Sequence, residues 1–404
     1  MALIDTMMSR IVRKGCLVIL QHDGTTSSFG APAEGFPEVT IRFTDARVAR
    51  DILIDPRTGA GEAFMDGRLL IETGDVMQLV QLLRMNQPWD RGGLLQPPRL
   101  LPRIRDRLAF VRSSFNRADT SKRNVAHHYD VGNDLYRLML DDTMAYSCGI
   151  YLTEDATLRE ASIAKFDAVC RKLALTSSDH LVEIGTGWGG LAIHAAENYG
   201  CRVTTTTISR EQHDFAKEKI AARGLSDRIT LLFEDYRDLR GQFDKLVSIE
   251  MIEAVGARYL DTYFAKCSSL LKPTGAMMLQ AITLQDQFYD KALKSVDYIQ
   301  RFIFPGSFIP SVTAIADSVT RVTDMKLFNL EDIGPHYAPT LKAWRERFFA
   351  NIDKVRALGY PESFNRLWEF YLCYCEGGFA ERQLGNVQML LTKPDCRRAA
   401  IAAG

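Results

Sequence analysis

The 404-residue sequence contains no apolar run approaching the ~20 residues a membrane-spanning helix needs. It has no net charge, since Lys plus Arg and Asp plus Glu number 50 each, so global charge points to no polyanionic partner such as nucleic acid. None of its eight cysteines forms a Cys-x-x-Cys pair, which argues against a zinc site and fits a reducing compartment. Cys373 and Cys375 stand two apart in an aromatic segment, where apolar packing is the simpler role. The first residues, MALIDTMMSRIVRKGCLVIL, lack the ordered charged, apolar and cleavage regions of a signal peptide, so a cytoplasmic protein is expected. No Gly-Lys-Ser/Thr follows the glycine-rich turn, which excludes a P-loop.

What is present centres on His180 to Gln212. His180 to Ile184 is a short apolar run, read as a buried strand. Gly185-Thr186-Gly187-Trp188-Gly189-Gly190 follows, and then Leu191, Ala192, Ala195 and Ala196 recur at helical spacing up to Gly200. Cys201 to Ile208 reads as the next strand. Glycines at the carboxyl end of a strand sit where open α/β sheets bind ligands. The third glycine comes one residue early for a dinucleotide fingerprint, and the second strand ends without a carboxylate for a ribose. A methyl-donor nucleoside, S-adenosylmethionine (SAM), fits better, because it has no pyrophosphate and its carboxylate can take backbone N–H groups at a helix start. The alternative is a packed turn without a ligand. Trp188, with no evident packing need in the sequence, favours binding.

The motifs V-E-I-G-T-G-W-G-G-L-A, T-I-S-R-E-Q and S-I-E-M-I-E-A-V-G resemble the cyclopropane-fatty-acyl-phospholipid synthase family, from about Asn124 to Lys393 and more weakly before it. The resemblance implies a doubly wound, Rossmann-like α/β sheet of the class I SAM-dependent methyltransferases, with a helical C-terminal part and a small α+β N-terminal domain. It implies SAM contacts at Tyr146 and Ser147 of the Y-S-C motif and at Glu183, Gly185, Gly187, Trp188 and Gly189 of the glycine turn. Thr207, Ser209 and Gln212 match the family's T-x-S-x-x-Q, and Ile249 and Glu250 end a later strand. Asp235 and Tyr236, also at a strand end, are the expected adenine contacts, with a solvated turn as the alternative. For Glu250 the alternatives are a SAM contact or a helix-dipole partner.

Along the chain, residues 1–96 read as the accessory domain, with strands at Cys16 to Leu20 and Val39 to Phe43, a Gly/Ser-rich turn at Asp23 to Gly30, and a helix over Asp75 to Met85. Gly59 to Gly67 reads as a loop and helix start. Its G-E-A-F-M-D-G-R-L wording implies, by resemblance, a sterol-carrier-like, lipid-associated role, against plain docking or dimerisation. Residues 97–123 form a linker. From Arg99 to Arg123 it holds eight basic and two acidic residues, a local +6, with Leu108, Phe110, Val111 and Phe115 among them. That is either a solvated face or a peripheral contact with the inner face of the membrane. His127 and His128 are adjacent and so unsuited to a shared metal ion. Residues 124–404 form the methyltransferase domain. Its Phe302 to Pro310 loop and its aromatic stripes Leu341-Trp344-Phe348 and Leu367-Trp368-Tyr371, within 283–384, are core or, less simply, an acyl-chain tunnel.

The implied reaction adds a one-carbon unit from SAM to a cis double bond of a phospholipid acyl chain, with a homodimer left open. An alkene is a weak nucleophile, so alignment against the SAM methyl is the main requirement. The resulting carbocation needs a dry, aromatic site, for which Trp188, Tyr146 and Phe304 are candidates. A base must then take a proton. In the family that base is a bound bicarbonate, and the groups matching its holders here are Cys148, Glu253, the backbone of Ile282 and Tyr337. A carboxyl in a dry site has a raised pKa, so Glu253 is expected to be protonated and to donate. One departure stands out. Bacterial relatives with E-H-V-G carry a histidine where this chain, with E-A-V-G, has Gln280, which donates a hydrogen bond but relays no proton. The E-A-V-G branch includes plant cyclopropane synthases. A methylated, still unsaturated chain is the close alternative product, and a soluble substrate a more distant one.

Overall fold

A computed structural model describes residues 2–86 and 132–401, in two compact units. The basic linker and the His127-His128 segment lie outside the described residues.

The first unit comprises residues 2–86, Lys294–Ile303 and Leu341–Gln383. Its sheet runs β2-β1-β3-β4, with β1 (Gly15–Leu20) parallel to β3 (Glu38–Phe43) and antiparallel to β2 (Thr26–Ala31), and with β4 (Leu69–Thr73) antiparallel to β3. The expected turn at Asp23 to Gly30 is therefore mostly an edge strand, in which Phe29 alone is a buried apolar residue, so it carries no alternating apolar signal. The helix Val76–Met85 starts in a capping box between Asp75 and Gln78.

Grouping Leu341–Gln383 here departs from the expectation that they belong to the methyltransferase domain. Two glycines account for it. A Cβ on Gly61 would lie 2.5 Å from the Tyr298 ring, and one on Gly377 would lie 2.6 Å from Val80. The helix Glu362–Ala380 thereby presses on Gly59–Met65 and Val76–Met85, and Cys373 joins the core of Ile4, Leu17, Phe43 and Val80. A largely buried Arg345–Glu376 pair, 2.8 Å apart, ties the helix Tyr337–Ala350 to it. Trp344, Phe348, Trp368 and Tyr371 are buried, as core residues are.

The second unit holds a seven-stranded sheet in the order β10-β11-β9-β8-β5-β6-β7. Strands β5 (His180–Ile184), β6 (Arg202–Thr206), β7 (Ile229–Leu232), β8 (Phe243–Ile249) and β9 (Leu271–Leu284) are parallel. β11 (Leu384–Thr392) is antiparallel to β9, and β10 (Lys326–Asp332) is antiparallel to β11. β6 and β7 extend the sheet to one side of β5, and β8 and β9 to the other. The direction of winding thus reverses between β5 and β8, and the crevice beyond their carboxyl ends is the ligand position of such sheets.

Gly377→Leu is expected to destabilise the first unit by about 1–3 kcal/mol through overpacking against Val80. Thermal unfolding checks this, and an unchanged melting curve would contradict the close approach.

Candidate active site

The glycine turn closes β5 onto the helix Gly190–Tyr199. Gly185, Gly187 and Gly189 have φ of 101°, 52° and 85°, a region L-residues avoid. The amides of Gly185 and Thr186 both donate to the Thr206 carbonyl at the end of β6. A Cβ on Gly187 would meet nothing within 4 Å, so the turn keeps an open face where a ligand backbone can approach. Gly190 serves packing instead, with Thr143 O and the Phe166 ring near 3 Å from its Cβ position. Trp188 has the packing role its sequence context does not reveal: it is buried, its centroid is 4.8 Å from that of Tyr136, and its Nε1 donates to Asn133 at 2.7 Å. Tyr136 in turn meets Tyr146 edge-on at 5.2 Å.

Several expected ligand contacts are engaged with the protein. Glu183 is buried and accepts from Thr205 Oγ1 at 2.6 Å, and Thr205 pairs with Thr186 of the turn. Burial pushes the Glu183 carboxyl up to about 8. Ser209 caps the helix Arg210–Ala222 by accepting from Gln212 N, while Thr207 donates to the Gln212 side chain at 3.0 Å. The T-x-S-x-x-Q motif thus shapes the end of β6. Beyond β7, Asp235 is buried in a bidentate pair with Arg237, so it is no solvated turn, and half-buried Tyr236 meets Tyr263 edge-on. Ser147 accepts from Lys165 Nζ at 2.9 Å. Lys165 is fully buried, with its ammonium 4.2 Å from the Phe166 centroid, and burial pulls its pKa down to about 8. Sequence reasoning missed Lys165. Its signal was a lysine in the apolar face Leu158-Ala161-Lys165-Val169-Leu173.

The second cluster lies at the carboxyl end of β8. Ile249 ends that strand, half-buried. Glu250 follows with φ 47°, and its carboxylate is held by donors from the protein. Its Oε1 accepts from Cys148 N at 3.0 Å, Gln280 Nε2 at 2.9 Å and Asn386 Nδ2 at 2.6 Å, and its Oε2 accepts from Tyr337 OH at 2.6 Å. Gln280 also donates to Cys148 O and accepts from Gln388 Nε2. The β9–β11 register pairs Gln280 with Gln388 and Ile282 with Asn386. Asn386 and Gln388 were missed too. Two polar residues spaced by two within an apolar strand were the available sign.

Glu253, in a short 3-10 turn, accepts from Ile282 N at 2.6 Å through Oε1. Its Oε2 is enclosed and has no hydrogen-bond partner among the described residues. Burial pushes its carboxyl up to about 8, and the Glu250 charge adds to the shift, so Glu253 is protonated at neutral pH with a donor to offer. The buried Cys148 thiol has its pKa raised by burial and by Glu250, so it stays neutral and takes part through its backbone. Cys148, Glu250, Glu253, Gln280, Ile282 and Tyr337 therefore converge. A Cβ on Gly185 would lie 3.4 Å from Met251, which sets the glycine turn beside them.

A 3-2-1-4-5 parallel sheet with an antiparallel pair at one edge, and an open glycine turn at the carboxyl end of its first strand, defines a class I SAM-dependent methyltransferase. Comparisons with known proteins narrow the class. Residues 116–389 match the family model described as mycolic acid cyclopropane synthetase, and the chain belongs to that family. It is 35% identical to the tuberculostearic acid methyltransferase UfaA1 of Mycobacterium tuberculosis, over 97% of this chain and 91% of that protein. It is also 35% identical to the cyclopropane-fatty-acyl-phospholipid synthase of Escherichia coli, over 93% of this chain and 92% of that one. Among solved structures, the M. tuberculosis cyclopropane synthase MmaA2 superposes with a TM-score of 0.63 at 29% identity, covering 67% of this chain and 98% of its own. The mycolic acid cyclopropane synthase CmaA1, complexed with SAH, gives the same values.

Turnover is expected to fall about tenfold per pH unit above about 8, as Glu253 loses its proton beside the Glu250 charge. Glu253→Gln keeps a donor and cannot ionise, so its pH–rate profile should lose that alkaline limb. An unchanged limb in the variant would assign it to another group, Lys165 foremost.

Proposed function

We propose that the protein transfers a one-carbon unit from SAM to a cis double bond of an unsaturated phospholipid acyl chain, and that the product is a cyclopropane. The observation that carries this reading is the pair of carboxyls, Glu250 and protonated Glu253, enclosed beside the open glycine turn. A methyltransferase acting on a heteroatom needs little more than alignment. One acting on an alkene must also hold a proton acceptor close to a cation.

The open face at Gly187 suits SAM. The turn backbone at Gly185, Gly187 and Gly189 and the start of the helix Gly190–Tyr199 would take its amino-acid end. Thr207, Ser209 and Gln212 would border the ribose, and Asp235 and Tyr236 the adenine. When bound, SAM supplies an electrophilic methyl. Tyr146 and Phe304 would line the apolar side on which the acyl chain lies, with Trp188 holding Tyr146 in place through Tyr136. Protonated Glu253 presents a neutral donor, which keeps a second negative charge away from the base.

A methylated, still unsaturated product is the second reading. Gln280 in place of a histidine favours it, as does the similarity to a tuberculostearic acid methyltransferase. The two products differ in which proton leaves: one from the new methyl closes a ring, and one from a neighbouring carbon leaves an alkene. No helix among the described residues is long and apolar enough to cross a membrane. The basic run Arg99 to Arg123 would bring the enzyme to an anionic membrane surface.

The test is to incubate the protein with SAM and vesicles of a mono-unsaturated phospholipid, then to analyse the released fatty acids by mass spectrometry and proton NMR. A gain of one CH₂ with upfield ring protons and no olefinic signal is the expected result. The same gain with a surviving olefin establishes the second reading, and no gain removes both.

A further inference from the structure

We infer that Glu250 is the built-in base of this enzyme: its carboxylate stands where the family resemblance would put a bound bicarbonate, and it receives the proton that leaves the alkylated chain. The inference rests on the lipid reading above and deepens it.

Of the groups expected to hold a bicarbonate, Cys148 N, Tyr337 OH and the Gln280 amide in the histidine position all donate to Glu250, and Asn386 adds a fourth donor. The remaining pair, Glu253 and Ile282 N, are bonded to each other. A free anion would have to displace a carboxylate already satisfied by four donors, and would sit against its negative charge. The residues present therefore do not fit a bicarbonate.

Glu250 has φ 47°, in the left-handed region where glycine is at ease and a glutamate is not. A strained residue persists where its surroundings over-determine it, and here the surroundings are the four donors and the bond from Glu250 N to Gln280 O. Gln280 cannot accept a proton, whereas Glu250 is an ionisable carboxylate on the same donors. Oε1 takes three donors among the described residues and Oε2 one, so Oε2 keeps lone-pair capacity for a proton. A proton beside a carbocation is acidic enough that placement of the acceptor decides.

The alkene π pair forms the new C–C bond to the SAM methyl while the S–C bond breaks, its pair leaving as the neutral thioether S-adenosylhomocysteine. The cation sits on the other alkene carbon. A C–H pair of the new methyl closes the ring, or one of a neighbouring carbon forms a double bond, and the proton goes to Glu250 Oε2 and then to solvent.

Two measurements test this. Lipid turnover is followed in CO₂-depleted buffer with and without added bicarbonate, for wild type, Glu250→Gly and Glu250→Gln, with SAM binding as the check on folding. Separately, [¹³C]bicarbonate is titrated into each protein and its NMR line width recorded, which needs no turnover. Wild-type turnover should be the same in both buffers. Glu250→Gly, relaxed at a positive φ, should lose at least about a hundredfold without bicarbonate and recover with it. Glu250→Gln should lose as much and not recover, because its amide still fills the position. Only Glu250→Gly should broaden the bicarbonate line saturably. Wild type that needs bicarbonate, wild type that binds it, or Glu250→Gly with full turnover in CO₂-depleted buffer overturns the inference. If wild type makes no lipid product in either buffer, the lipid reading fails, and the line-width titration still decides whether the position belongs to Glu250 or to a free anion.

Discussion

A carboxylate with four donors around it is a joint between elements as well as a charge. Glu250 stands at the end of β8 and is held by Cys148 from the loop before the helix Leu158–Leu173, by Gln280 on β9, by Asn386 on β11 and by Tyr337 at the start of a helix. Hydrogen bonds to an ionised group contribute about 1.5–3 kcal/mol each, and a buried donor left without its partner costs a similar amount. The carboxylate therefore fixes four segments far apart in sequence around one point. Behind it, the Gln280–Gln388 pair and the Lys172 ammonium that Gln388 meets continue the network across the sheet.

That joint also touches the state of its neighbours. Burial pushes the Glu253 carboxyl and the Cys148 thiol up, and the Glu250 charge adds to both shifts. Two carboxyls three residues apart thus have different settings: Glu250 accepts from four donors, while burial raises the pKa of Glu253. Glu250 follows the end of β8 at a positive φ and Glu253 lies in the 3-10 turn Ile252–Ala254, an irregular path that a continued strand, with residues three apart on opposite faces, would not give.

The glycine turn and the parallel strands were legible because their signals are local: apolar runs, glycines at strand ends, and helical spacing between them. The edge strands β2 and β10 were not. They are mostly exposed, and a strand with one open edge carries little period-two pattern. The place of residues 341–383 was hidden for a different reason, since their aromatic stripes announce burial but not the partner, which Gly61 and Gly377 select. At the site, family motifs single out Cys148, Glu253, Gln280, Ile282 and Tyr337 for the chemistry, while the sequence offers for Glu250 only a SAM contact or a helix-dipole partner. Its donors stand 102, 30, 136 and 87 residues away, beyond any spacing argument. Trp188 shows the converse, a residue that looks like a ligand contact in sequence and is packed against Tyr136 and Asn133 in the fold.

The most direct measurement is a high-resolution crystal structure of the protein with S-adenosylhomocysteine, grown in bicarbonate. The account predicts the Glu250 carboxylate on Cys148 N, Gln280, Asn386 and Tyr337, with no bicarbonate among those donors. A bicarbonate held by them, with the Glu250 side chain turned away, would contradict it.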